Sequence, residues 1–153
     1  MLVIADATPL HYLILIGEIH LLRQLYGTVT IPQGAVAELS VPETPSPVSD
    51  WIANPPTWVA IVPPSPGASL PFPKLGRGER EGIALALRDP GSILLTDDSA
   101  ARNAAESCGV RVVPTIRLLS TAHELDLIDL HDALRTVASD QLSRCAKCNR
   151  PYS

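Results

Sequence analysis

The chain is poor in several features that mark special classes of protein. It has only three cysteines in 153 residues, an odd number that gives no disulfide framework and makes the reducing cytoplasm the expected location. No uncharged apolar run reaches the roughly 18 residues of a transmembrane helix. The apolar start carries Asp6 and lacks a basic n-region. We therefore expect neither a signal peptide nor a membrane partner.

Positive charge is also scarce. The net charge of −4 gives no general attraction to nucleic acid, so such a partner would need local basic patches or bound cations. What the chain does contain is apolar surface: 46% of its residues are hydrophobic, enough for one well-packed globular domain at this length.

Short apolar strands alternate with helical patterns along most of the chain. Strands are predicted at residues 2–5, 28–31, 58–62, 92–96 and 110–113, and helices at 9–26 (two), 32–40, 78–88, 98–108, 115–125 and 129–137. This alternation predicts an α/β fold with a mostly parallel sheet. We expect a single domain over residues 1–137, with a proline-rich excursion of mostly extended chain at about 42–73 and a mobile tail over 138–153.

Acidic residues follow two of the predicted strands. Asp6 ends the first strand, and Asp97 and Asp98 end the fourth. In an open parallel sheet the carboxyl ends of the strands form the ligand-binding edge, so these acids should lie at one edge. Taken alone, Asp6 and Asp98 could each simply cap the helix that follows.

Two further acids lie at helices. Glu38 belongs to the short helix after the second strand, and Glu79 begins the helix after Gly78. Glu79 is in register with Ile83 and Leu87, which we expect to face the sheet, whereas Glu81 is about 200° away around the helix. Glu79 is therefore the better site candidate, although an acid in a first turn also stabilises the helix dipole.

Carboxylates that converge without histidine or cysteine form a site of hard oxygen ligands. Such a site suits Mg²⁺ or Mn²⁺ rather than zinc. A metal of this kind usually serves phosphate chemistry, because it neutralises phosphate charge and activates a bound water.

Four motifs in order resemble those of the PIN-domain family of metal-dependent ribonucleases, in particular VapC-like toxins of the branch with a Gly-Glu third motif. They are "VIADATPL" with Asp6 and Thr8, "IPQGAVAEL" with Glu38, "GRGEREGIALAL" with Glu79, and "LLTDDSAAR" with Asp98. The segment "VRVVPTIRLLSTAHELDLI" is similar to the closing strand and helix of the same branch.

The resemblance implies a three-layer α/β/α fold that hydrolyses RNA with Mg²⁺ or Mn²⁺, with an antitoxin or a second copy of the chain as further partners. It implies a catalytic set of Asp6, Glu38, Glu79 and Asp98, in which Asp6, Glu79 and Asp98 hold the metal and Asp97 supports them. Thr8, Lys74, Arg77, Arg80 and Arg102 are the residues expected to contact the RNA.

Other interpretations remain open at this point. A dehalogenase-like phosphatase would need an Asp where Thr8 stands, and a response-regulator receiver would need its acidic pair near the first strand. A PIN-like fold without activity could serve as an interaction module. The pair Cys145 and Cys148 is half a zinc site without a second half, so we expect no structural zinc there.

Overall fold

The computed structural model describes residues 1–65, 72–136 and 138. In chain order its elements are β1 (Val3–Ala5), α1 (Ala7–Leu15), α2 (Leu21–Tyr26), β2 (Val29–Pro32), α3 (Gln33–Glu38), α4 (Ser46–Ala53), β3 (Val59–Val62), α5 (Arg77–Arg88), β4 (Ile93–Leu95), α6 (Ser99–Ser107), β5 (Arg111–Val113) and α7 (Thr115–Glu124). Residues 130–136 are helical as well. Cys145 and Cys148, and the predicted tail beyond residue 138, lie outside the described residues.

The five strands form one sheet in the order β3-β2-β1-β4-β5, and every pair is parallel. The prediction of a parallel α/β sheet is confirmed. The chain builds outwards from β1 to β3 on one side and then continues with β4 on the other side of β1. The strand order therefore reverses between β1 and β4, and ligands of open α/β sheets bind at such a point.

Helices cover both faces of the sheet, which gives the three predicted layers. Successive strand residues point to opposite faces, so Val3 and Ala5 join one core while Ile4 joins the other. The first core also takes side chains from α1, α2, α4 and α7, and the second from α5 and α6. Among the described residues, none of these helices is long and apolar enough to cross a membrane.

The proline-rich segment differs from the expectation of mostly extended chain. Its strand β3 pairs with β2 at the edge of the sheet, as predicted, but α4 precedes it. Pro47 occupies the first turn of α4, where its missing N–H is no loss. Val48 and Ile52, four residues apart, are buried on the face that joins the core. Proline density therefore excluded a long helix here but not a short one.

Helix α5 is rotated relative to the prediction. Ile83 is buried, as predicted, but Leu87 is 45% exposed and Glu81 is 2% exposed, so the buried face does not follow the expected stripe of Glu79, Ile83 and Leu87. Gly82 faces the sheet instead, since a Cβ there would lie 3.1 Å from Cδ1 of Leu94. The absence of side chains at Gly78 and Gly82 lets α5 pack closely, and this close packing sets its rotation.

Candidate active site

Asp6 lies at the centre of the sheet edge, directly after β1. Its N–H donates to the carbonyl of Leu95 on the neighbouring strand at 3.0 Å, and its side chain is 2% exposed. Thr96 donates its hydroxyl to Oδ2 at 3.1 Å. The other carboxylate oxygen, Oδ1, is buried with no hydrogen-bond partner among the described residues. A buried charge with an unsatisfied oxygen is unfavourable unless a ligand completes it.

The surroundings of Asp6 favour its protonated form. Burial is the largest cause that raises its pKa to about 6, and the negative charges of Glu38 and Asp98 add to it. The nearby amide of Ala7 and the hydroxyl of Thr96 oppose this rise only in part. A cation at the same place would reverse the effect, because it would stabilise the carboxylate.

Glu38 and Glu79 are brought to this edge by α3 and α5. Glu38 Oε1 accepts from the N–H of Gly78 at 3.1 Å, and Glu79 Oε2 accepts from the N–H of Gly76 at 3.1 Å. Although Glu38 is an exposed residue, partial burial of its carboxylate is the largest cause of its raised pKa, and the charges of Glu79 and Glu81 contribute. The pKa of Glu79 is raised by burial first and then by the charges of Asp6 and Asp98.

Asp98 reaches the same site from the strand on the other side of β1. It is the N-cap of α6, where its Oδ1 accepts from the N–H of Ala101 at 2.8 Å. Its own N–H donates to the hydroxyl of Thr96 at 3.3 Å, so Thr96 links Asp98 to Asp6. We call the four carboxylates that these electrostatic effects connect at the sheet edge the acidic cluster: Asp6, Glu38, Glu79 and Asp98. Glu81 also acts on Glu38, but its own oxygens are bound by Gly34 and Arg77.

Asp97 is directed elsewhere. Both of its oxygens bind Thr115, which donates its N–H at 2.7 Å and its hydroxyl at 2.5 Å. Its charge is not among the causes that raise the pKa values of Asp6, Glu38 or Glu79. The structure therefore does not bring Asp97 together with the acidic cluster. Its visible role is to hold the first residue of α7 against the end of β4.

The residues expected to contact RNA differ in how exposed their side chains are and in whether they already form an ion pair. Thr8 is exposed on α1, and Arg102 is exposed on α6. Arg80 is half-buried on α5, and Lys74 is exposed ahead of that helix. Arg77 is engaged in an ion pair, since its Nε lies 2.8 Å from Oε1 of Glu81.

Glu81 is a residue that the sequence interpretation set aside. Its buried carboxylate accepts from the N–H of Gly34 at 2.6 Å while it pairs with Arg77. With the bond from Gly78 to Glu38, this makes two hydrogen bonds in opposite directions between α3 and α5, which we call the α3–α5 clasp. A Cβ at Gly34 would lie 2.8 Å from the nitrogen of Gly78, so this contact depends on glycine. Gly34, Gly78 and Gly82 are the residues in the sequence that could have indicated how closely α5 packs.

The donor chemistry of the acidic cluster fits a hard divalent cation. All four side chains offer only carboxylate oxygens, and the buried Oδ1 of Asp6 lacks a partner among the residues described. Three of the four carboxylates each accept from a backbone N–H. Over residues 1–65, 72–136 and 138, no three histidine, cysteine, aspartate or glutamate side chains already form a metal-holding group. The donors therefore fit a hard divalent cation in type, although the described residues are not arranged as a metal-holding group.

Comparison with known proteins agrees with this arrangement. The family model described as "PIN domain" matches residues 2–145, nearly the whole chain. No curated protein and no solved structure gives a significant match. PIN domains are generally nucleases that use divalent metal ions, so the match indicates a nuclease-type function. With this coverage, the chain belongs to the PIN-domain family.

Proposed function

We propose that the protein is an endoribonuclease that depends on Mg²⁺ or Mn²⁺. One observation carries the proposal: Asp6 Oδ1 is buried, without a partner among the described residues, inside a cluster of four carboxylates at the switch point of the sheet. The convergence of the four carboxylates is electrostatically unfavourable for the fold on its own, because each acid raises the pKa of another. A bound cation would satisfy Oδ1 and offset the repulsion.

Asp6, Glu79 and Asp98 would hold the metal, since the pKa of Glu79 responds to the charges of the other two. When bound, a divalent ion polarises a phosphate and lowers the pKa of a water. Thr96 is a positioning residue, because its hydroxyl fixes Oδ2 of Asp6 and accepts from the N–H of Asp98. These two bonds leave Oδ1 as the atom of Asp6 that a ligand can use.

Glu38 would orient a water for attack on the phosphate. The N–H of Gly78 holds one of its oxygens, and a carboxylate has acceptor capacity beyond that single bond. Thr8 follows Asp6 by two residues, Arg80 is next to Glu79 and Arg102 is one helical turn after Asp98, so these residues would contact phosphate oxygens. Arg77 would contribute less than Thr8 or Arg102, because its guanidinium already pairs with Glu81.

The resemblance of the four motifs to VapC-like toxins supports a more specific proposal. The protein would act in the cytoplasm as the toxin of a toxin–antitoxin pair, with an antitoxin protein and a second copy of itself as partners. Of the apolar helices α1 and α2, the buried leucines 10, 13, 21 and 22 belong to the core. A partner would therefore contact the exposed residues of these helices and not that stripe.

The direct test is cleavage of a 5′-labelled single-stranded RNA by the purified chain with and without Mn²⁺. We expect cleavage that requires the ion and that falls more than about 100-fold in Asp6→Asn, since even partners of metal ligands contribute about 10–100-fold. Glu106→Gln, an exposed acid on the outer part of α6, is the matched control and should retain activity.

Calorimetry with Mn²⁺ distinguishes the enzyme from a PIN-like interaction module. The enzyme should bind the ion, and Asp6→Asn should bind it weakly or not at all. If the wild-type chain is folded, binds no divalent ion and leaves the RNA intact, the ribonuclease proposal is wrong and the interaction module takes its place.

A further inference from the structure

A cavity of about 240 Å³ adjoins the acidic cluster, and its lining includes aromatic residues that have no part in the chemistry described above. It lies between the first turns of α1 and the end of α3. Its lining residues are Ala7, Thr8, His11, Tyr12, Glu38 and Leu39. Two of them connect it directly to the site, because Ala7 follows Asp6 and Glu38 is a member of the acidic cluster. We call it the α1 cavity.

Aromatic side chains border the α1 cavity in a chain that has few of them. His11 and Tyr12 are both half-buried, and their rings meet edge to face with centroids 6.0 Å apart and planes at 77°. By contrast, Trp51 and Trp58 pack against the core. Partly exposed rings beside an opening offer a stacking surface, and stacking on aromatic side chains is the usual way that proteins hold unpaired bases.

The charge and size of the cavity select what can enter. The carboxylate of Glu38 repels a phosphate, so the backbone of a nucleic acid would stay outside. The volume is below the roughly 300–1,000 Å³ of pockets for drug-sized ligands, which leaves room for one ring system. A nucleobase is an uncharged ring with hydrogen-bonding edges, and it meets both conditions.

The polar residues of the lining would distinguish among bases. Glu38 accepts hydrogen bonds, and a carboxylate accepts well from an exocyclic amino group such as N4 of cytosine. The hydroxyl of Thr8 can donate or accept. Uracil has no exocyclic amino group and offers only its ring N3–H as a donor, so it would satisfy the carboxylate of Glu38 less well.

We propose that the α1 cavity binds one unpaired base of the RNA next to the bond that is cut, with Tyr12 stacking on it and Glu38 and Thr8 reading its edge. This inference rests on the proposed ribonuclease function. It makes the enzyme selective for single strands, because a base in a duplex is stacked and paired and cannot turn into the cavity. It also predicts a preference for a base with an exocyclic amino group over uracil.

Photocrosslinking tests the location without relying on activity. Asp6→Asn would be mixed with a single-stranded RNA that carries 5-iodocytidine at successive positions, irradiated, and the crosslinked residue identified by mass spectrometry. We expect a crosslink at Tyr12 or His11 from one position of the RNA, and its loss in Tyr12→Leu. Crosslinks that occur only elsewhere, for example around Arg102, would overturn the proposal.

Kinetics test the same contact in the wild-type background. Tyr12→Leu should raise KM for a cytidine-containing substrate by roughly 5- to 150-fold, the range expected for loss of one stacked base, with kcat changed much less. Tyr12→Phe keeps the ring and should restore KM. Removing the base at the crosslinking position should raise KM for the wild-type enzyme but add little to Tyr12→Leu. Equal penalties in both enzymes would contradict the assignment.

The two proposals fail in different ways. If the RNA crosslinks at Tyr12 but no ion supports cleavage, the cavity binds a base and the nuclease mechanism is wrong. If the chain cuts RNA with Mn²⁺ but no crosslink reaches His11 or Tyr12, the nuclease mechanism stands and the cavity proposal falls.

Discussion

Two carboxylates in this molecule are equally buried and have opposite surroundings. Asp6 and Glu81 are each 2% exposed. Glu81 is satisfied within the α3–α5 clasp, where its two oxygens accept from Gly34 and Arg77. Asp6 has one oxygen held by Thr96, and the other has no partner in the described part of the chain. A buried acid in this molecule can therefore be satisfied within the fold or can lack a partner, and its exposure alone does not show which. The hydrogen-bond partners distinguish the two cases.

The difference separates stability from function. Glu81 joins two helices that lie 47 residues apart in the chain, and its removal should weaken the fold. The buried carboxylate of Asp6 is unfavourable for the protein without a ligand, and such unfavourable groups are typical of functional sites. Variants at the two positions should therefore have opposite effects on stability and activity.

The largest expected effect is on the pH dependence of stability in the metal-free protein. Because the folded-state pKa of Asp6 is raised from 3.8 to about 6, the folded chain binds this proton more tightly than the unfolded chain. The free energy of unfolding should therefore fall as the pH rises from about 4 to 6, by up to about 3 kcal/mol from this group alone. Urea unfolding at fixed pH values, with a chelator present, measures the slope.

Asp6→Asn removes the titrating group and should flatten this slope. The raised pKa values of Glu38 and Glu79 act in the same direction, so a smaller slope should remain. Mn²⁺ should restore stability at pH 7 in the wild type and not in Asp6→Asn. A slope that is the same in both proteins would show that Asp6 is not the strained carboxylate.

The placement of Asp6 and Asp98 could be predicted from the sequence because it depends on strand order and strand ends. Each follows a short apolar run, and parallel strands bring their carboxyl ends to one edge whatever the details of packing. The partners of Glu81 could not be predicted in this way. They depend on the rotation of α5, which is set by close approach at Gly34, Gly78 and Gly82, and a helical wheel based on apolar residues does not contain that information.

The same limit applies to Thr96 and Asp97. The alternation of side chains along a strand indicates that neighbouring residues diverge, but not which partner each one meets. Thr96 turns to Asp6, 90 residues away, and Asp97 turns to Thr115 at the start of α7. Long-range hydrogen bonds of this kind follow from the assembled fold, so they appear only once the three layers are in place.

The second prediction concerns the α3–α5 clasp. Glu81→Leu leaves the buried N–H of Gly34 without its acceptor and should lower the free energy of unfolding by about 1–3 kcal/mol. The matched variant is Glu79→Leu, the same change two residues earlier in the same helix. Its bond is to the exposed N–H of Gly76, so it should lose less stability but most of the nuclease activity. Urea unfolding and RNA cleavage of both variants measure the contrast.

Either of two results would contradict these expectations. If Glu81→Leu were as stable as the wild type, the ion pair with Arg77 would contribute nothing beyond what packing replaces, as occurs for some buried pairs. If Glu79→Leu kept full activity, Glu79 would be only a capping residue of α5.

The smallest expected change in the free energy of unfolding is for alanine variants of the adjacent acids Asp97 and Asp98. Asp98 is an N-cap that accepts one hydrogen bond, from Ala101, and its replacement by alanine should cost about 0.5–2 kcal/mol, whereas Asp97 accepts two from Thr115 and should cost at least as much. Their effects on catalysis should differ, because only Asp98 raises the pKa values of Asp6 and Glu79. We expect Asp97→Ala to stay within a few-fold of wild-type cleavage and Asp98→Ala to lose most of it. Since Asp97→Ala should lose at least as much stability as Asp98→Ala, equal cleavage by the two variants would mean that proximity to Asp6 has no catalytic consequence.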